Sequence, residues 1–157
     1  MEDLENPFGL QSILTNAVNK MRQESFKTSE QLTLGEIILK LEAIKNPKLP
    51  VLFDIKKYHP TGIDSWRGSY NELALEYESK GKTMLLSDFL KMLKDTIGKT
   101  LTGYKGGDFL MGKTTPVWVA NYGEVSGIRR DGYKDTAIIN IIEAKSAVII
   151  KTKAIEY

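Results

Sequence analysis

Ala137-Ile138-Ile139-Asn140-Ile141-Ile142-Glu143 and Ala147-Val148-Ile149-Ile150-Lys151-Thr152-Lys153-Ala154-Ile155 stand near the end of the chain, separated only by Ala144-Lys145-Ser146. Both runs are dense in β-branched side chains, which pack well on a pleated surface and lose rotamer freedom in a helix. A three-residue connection makes them two strands of a hairpin. A sheet is therefore present, and the rest of the chain has to be read as what pairs with it or covers it.

Upstream of the hairpin, eight of the thirteen glycines crowd into residues 98–132. The stretch reads as a long loop interrupted by one strand, Pro116 to Asn121, and a loop of that length inside a domain is usually functional or mobile. Before it, Phe89, Leu90, Leu93 and Ile97 have helical spacing, with Leu86 just ahead of a Ser87 cap and Gly98 at the far end. In Tyr70 to Tyr77, Leu73, Leu75 and Tyr77 alternate with Glu72, Ala74 and Glu76, the pattern of a half-buried strand. Tyr58 to Ser69 reads as a polar, aromatic loop, and Val51 to Ile55 as a short strand after Pro50. Leu34, Ile37, Ile38, Leu41 and Ile44 define a helix that opens on a Thr33/Glu36 capping box and stops at Asn46-Pro47. At the amino end, Leu10, Ile13, Leu14, Ala17, Val18 and Met21 form one apolar stripe of a helix over about residues 9–24, followed by an aperiodic linker.

Strands and helices do not alternate regularly, so the order favours an α+β domain over a doubly wound fold. The expected architecture is a mainly antiparallel sheet of about five strands with two or three helices packed on one face. Residues 1–31 form an amphipathic helix and linker, and residues 32–157 a single α+β domain. The first helix is as compatible with a homodimer as with packing on its own domain.

Composition closes off several kinds of chemistry. With no Cys and one His, the chain has no thiolate or multi-histidine metal site, no Cys nucleophile and no disulfide framework. No cofactor or metal is expected. Twenty-two basic and twenty acidic residues are spread without like-charge blocks, which argues against a nucleic-acid-binding face. The acidic start Met1-Glu2-Asp3-Leu4-Glu5 does not resemble a secretory signal, and no apolar run is long enough to span a bilayer. The expectation is a cytoplasmic protein that does not contact membranes.

Three constellations remain as candidate sites. The first runs from Tyr58 to Tyr70 and gathers Asp64, Trp66 and Arg67. Arg presents a planar fork of donors for phosphate or carboxylate, and an indole offers a stacking face. A purely structural reading pairs Asp64 with Arg67 across a turn and makes Trp66 a core plug. The second is Thr102 to Phe109, where Tyr104, Lys105, Gly106 and Gly107 suit a turn that cradles an anion with backbone amides; a plain flexible loop reads equally well. Gly107 together with Gly112-Lys113-Thr114 also satisfies the bare Walker pattern. That motif must open a helix, whereas here Thr115-Pro116 leads into a strand. The third, Ala120 to Arg130, offers Asn121 to read a base or sugar edge, Tyr122 to stack, and Arg129 to meet phosphate. A solvated hairpin turn is its structural alternative. His59, alone before Pro60, reads as a solvent-exposed or hydrogen-bonded side chain rather than a general base, and Glu72 with Glu76 as a plain solvent face.

The segments Asp64 to Tyr70, Leu73 to Leu75, Gly98 to Gly107 and Thr115 to Glu124 resemble a family of small uncharacterised proteins encoded by tailed bacteriophages, over roughly residues 32–128. The resemblance implies an accessory role in host takeover or evasion of host defence, and carries no catalytic residue with it. Together these features lead to the expectation of a non-enzymatic protein that holds a small anionic, nucleotide-like ligand. Its ligand-binding residues would be Asp64, Trp66, Arg67, Tyr104, Lys105, Gly106, Gly107, Asn121, Tyr122 and Arg129, and it could thereby sequester a host defence signal. One alternative is an inhibitor that grips a host protein through the same loops; another is an enzyme acting on a nucleotide or sugar.

Overall fold

The structure is a computed structural model, and it describes residues 30–68, 71–103 and 106–156. The amphipathic stripe from Leu10 to Met21, and with it most of the amino-terminal segment, lies outside the described residues. The described residues contain two α-helices, α1 (Leu34–Glu42) and α2 (Leu86–Thr96). Their strands are β1 (Val51–Phe53), β2 (His59–Ser65), β3 (Leu73–Glu78), β4 (Thr100–Thr102), β5 (Asp108–Leu110), β6 (Val117–Val119), β7 (Asp135–Glu143) and β8 (Val148–Ile155). Among the described residues, no helix is long and apolar enough to cross a membrane.

The α+β class holds, but the expected sheet does not. Six strands form one mixed sheet in the order β1-β8-β7-β6-β3-β2, and β4 with β5 makes a separate two-stranded sheet. β1 runs parallel to β8 and β3 parallel to β6; the remaining pairs of the large sheet are antiparallel. Its two end strands, β1 and β2, follow one another in the chain. Phe53 N–H donates to the Tyr58 carbonyl at 3.0 Å across their connection, so the sheet curls almost to closure.

Three physical reasons account for the difference. β2 carries His59-Pro60-Thr61-Gly62-Ile63-Asp64-Ser65, with almost no apolar alternation, because its pairing comes from the β3 backbone. The parallel β3/β6 pair is set by the crossover through α2, a long-range contact with no local signature. The glycine-rich stretch is partly structured, since Leu101 pairs with Phe109 in a small hairpin whose Phe109 and Met111 side chains are buried.

One face of the large sheet builds the main core. Leu73, Leu75, Tyr77, Val117, Val119, Ile138, Val148 and Ile150 pack with Leu34, Ile37 and Leu41 of α1 and with Leu86, Phe89 and Leu93 of α2. The helix starts differ from each other. The Thr33 hydroxyl accepts from Glu36 N–H at 3.1 Å and the Glu36 carboxylate accepts from Thr33 N–H at 3.0 Å, the reciprocal capping box. α2 begins instead from Leu85 with no side-chain cap, and Ser87 lies inside the helix.

Behind β6 the chain passes very close to itself. Gly127 has φ of +64°, and a Cβ there would lie 2.0 Å from the Val119 carbonyl oxygen. Only glycine fits this approach. It brings Ser126 and Arg129 within reach of β7, where the Thr136 hydroxyl donates to the Ser126 carbonyl at 2.8 Å.

Candidate functional site

The opposite face of the sheet is built from different residues. Register places Asp64, Ala74, Trp118, Ala137 and Lys153 in one row across β2, β3, β6, β7 and β8. The two alanines flanking Trp118 leave room above the sheet. After β2 the chain makes a short turn, Trp66–Gly68, in which Arg67 adopts a left-handed backbone of φ 56°. That turn lays Trp66 over the row, stacked on Trp118 with ring centroids 4.6 Å apart and planes 14° from parallel. Trp66, Ala74, Trp118, Ala120 and Ala137 thus form a second, smaller core.

Polar groups fix this stack. Trp118 Nε1–H donates to Glu72 Oε1 at 2.9 Å, and Trp66 N–H to the Glu72 carbonyl at 2.8 Å. Glu72 is therefore buried, which corrects its reading as a solvent face: the strand begins at Leu73, and its preceding residue folds under the indole. The Arg67 guanidinium lies 4.4 Å from the Trp66 ring centroid and donates to Asp135, a buried carboxylate on β7. Its ion pair spans the sheet instead of closing the local turn with Asp64.

Beside this stack lies a cavity of about 620 Å³. Its floor is Ala74 and Ala120; Asp64, Trp66 and Arg67 bound one side, and Asn121, Tyr122 and Glu124 another. Thr102 brings the β4/β5 hairpin to the rim, and its hydroxyl donates to Asp108 at 2.8 Å. Tyr122 and Val125 stand at the mouth, 70% and 73% exposed.

The loop after β6 is held by a side chain that imitates backbone. Asn121 Oδ1 accepts from Tyr77 N–H at 2.9 Å while its Nδ2 donates to the Tyr77 carbonyl at 3.0 Å. The β3/β6 ladder is thereby extended by one amide. Glu124 accepts from the Tyr77 hydroxyl through both oxygens, at 2.7 and 2.6 Å. Burial and this carboxylate together raise the Tyr77 pKa well above the usual phenol range. On β3, burial raises the Glu76 pKa, helped by the nearby charges of Asp64 and Glu78.

Five of the ten expected ligand-binding residues, Asp64, Trp66, Arg67, Asn121 and Tyr122, meet at this cavity. Gly106 and Gly107 form the β4/β5 turn, closed by Gly103 N–H to the Gly107 carbonyl at 2.7 Å, and are not part of the lining. Tyr104 and Lys105 lie outside the described residues. Arg129 is engaged elsewhere: it donates to the Thr152 hydroxyl and carbonyl, both at 2.9 Å, and to Asp54 at 3.1 Å. Asp54 in turn accepts from Thr152 at 2.6 Å, so this knot ties β1 to β8. The cavity also uses Ala74, Ala120 and Glu124, which the sequence reading did not single out as ligand contacts. The one sequence signal among them is Ala120, two residues after Trp118 and so on the same face of that strand.

Among the described residues no group of three or more His, Asp or Glu side chains is placed to hold a metal ion. Comparison with protein-family models, with curated proteins and with solved structures finds no match to this chain.

Proposed function

We propose that this chain is a non-enzymatic binding protein that holds a small nucleotide-like ligand in the cavity on the outer face of its sheet. The carrying observation is the cavity itself: about 620 Å³ with an alanine floor and a rim of Arg67, Asn121, Tyr122 and Asp64. Small-molecule sites span roughly 300–1,000 Å³ and combine apolar walls with a few convergent polar groups. In this reading the base lies on Ala74 and Ala120 beneath Tyr122, and the anionic end points outward to Arg67. In the bacteriophage setting that the resemblance implies, holding such a ligand would sequester a host signal.

Titration calorimetry of the full chain with mono-, di- and cyclic nucleotides tests this. Saturable binding is expected, and Ala120→Leu, which fills the floor, abolishes it while unfolding remains cooperative. Absence of binding by every nucleotide in the panel overturns the reading. A second reading, a module that docks on a host protein, draws on the exposure of Tyr122 and Val125 at the mouth. It predicts a defined complex with a host protein that Val125→Asp disrupts, and no nucleotide binding by the unaltered chain.

A further inference from the structure

Resting on the small-ligand reading above, we propose that Asp64 is the specificity-determining residue of the cavity. It selects a ligand edge with two adjacent N–H donors, the amidine-type edge shared by guanine and guanidinium compounds.

The hydrogen bonds already made by the lining carry this inference. The Asn121 amide has one bond from its oxygen and one from its nitrogen on the Tyr77 backbone. Glu124 accepts from the Tyr77 hydroxyl and from Asn121 N–H. The Thr102 hydroxyl donates to Asp108, and Arg67 donates to Asp135. Asn121, Glu124 and Thr102 thus already serve the protein's own structure, and Asp64 is the lining carboxylate with acceptor positions to spare. Asp64 accepts at 2.7 Å from Ser65 N–H through Oδ1, and an ionised carboxylate has about four acceptor positions.

Position and charge reinforce the point. Asp64 is the cross-strand partner of Ala74, so it stands directly beside the cavity floor. Glu76 lies on the same face, where Gly62 leaves it space: a Cβ on Gly62 would meet Glu76 Oε1 at 3.3 Å. Glu76 is not among the cavity-lining residues, but its charge and that of Asp64 interact, which at this edge disfavours lone pairs and favours N–H groups. A carboxylate meets paired N–H donors through two parallel bonds, as it does with a guanidinium. Guanine presents such an edge; adenine presents a ring acceptor beside its amino group, and hypoxanthine lacks the second donor.

The test measures binding of the full chain to guanosine, inosine, adenosine and xanthosine monophosphates and to agmatine. A preference for the guanine nucleotide over the inosine and adenosine nucleotides of roughly tenfold or more is expected, because a site built to pair a donor rejects the analogue without it. D64N reverses this order towards xanthosine monophosphate, since an amide keeps one acceptor and turns a donor to the carbonyl at C2. If D64N fails to fold, the guanine-to-inosine ratio of the unaltered chain decides the matter. Binding of agmatine alone, lost in D64N, supports the edge and assigns it to a guanidinium compound, while overturning the nucleotide reading. Equal binding of the guanosine, inosine and adenosine nucleotides overturns the role of Asp64 and leaves nucleotide binding standing. No binding by any of the five overturns both.

Discussion

The two faces of the large sheet carry the same backbone and opposite designs. On the helix-covered face, Leu73, Leu75, Val117 and Val119 meet Phe89 and Leu93 in a continuous apolar core. On the other, the same sheet presents Ala74, Trp118 and Ala120, and among the described residues the indole of Trp66, on a strained turn, packs over them. The first face is held by area removed from water, which is non-directional. The second is held by a few directional contacts: an indole stack, a Trp–Glu hydrogen bond and an ion pair to a buried carboxylate. Beside this indole, over the alanines, lies the cavity.

The difference can be broken from its strongest side first. Phe89→Ala, on the fully buried face of α2, should cost about 4 kcal/mol, the usual range for deleting a core aromatic ring. Denaturant unfolding should show the midpoint fall with an unchanged slope. On the other face, Trp118→Phe keeps an aromatic ring under Trp66 but withdraws the Nε1–H donor from Glu72, for a loss of about 2 kcal/mol. Near-ultraviolet circular dichroism should lose the coupled signal of the stacked indoles while the far-ultraviolet spectrum is retained. If Trp118→Phe proves as costly as Phe89→Ala, the two faces are not energetically distinct.

Smaller changes sharpen the contrast. Thr33→Ala removes half of the capping box of α1 and should cost about 1 kcal/mol, read as faster amide exchange in the first turn of that helix. Glu76→Gln acts in the opposite direction. The folded chain binds the Glu76 proton more tightly than the unfolded chain does, so this group's contribution falls as pH rises from the ordinary glutamate value through the raised folded value. Glu76→Gln should therefore raise the melting temperature slightly at neutral pH and flatten its decline across that interval.

Legibility followed the locality of the forces. The α1 capping box, the parity of Leu73, Leu75 and Tyr77, and the terminal hairpin all rest on residues a few positions apart, and each could be read directly. β2 was hidden because Pro60, Thr61, Gly62 and Asp64 have no strand preference, and backbone pairing with β3 overrides that composition. The candidate site was legible by type and only partly by place. Asp64, Trp66, Arg67, Asn121 and Tyr122 come together, whereas Arg129 has the right chemistry and is tied to Asp54 and Thr152. Glu72, two residues from Ala74 and of the same parity, looked solvated because nothing local announces an indole from β6.

By itself the chain's sequence determined an α+β domain with a β-branched hairpin and a capped helix, and directed the search for a site mainly to Arg, Lys, amide and aromatic groups. Those properties follow from side-chain identity and short-range periodicity. The tertiary structure alone decided that the sheet is mixed and curls towards closure, and that Trp66 stacks on Trp118 above a floor of alanines. It also decided that Asp64 lines the cavity beside that stack while Arg129 is tied to Asp54 and Thr152. Parallel pairing, ring stacking and ion pairs across the sheet join residues tens of positions apart, and their geometry exists only once the strands are in register.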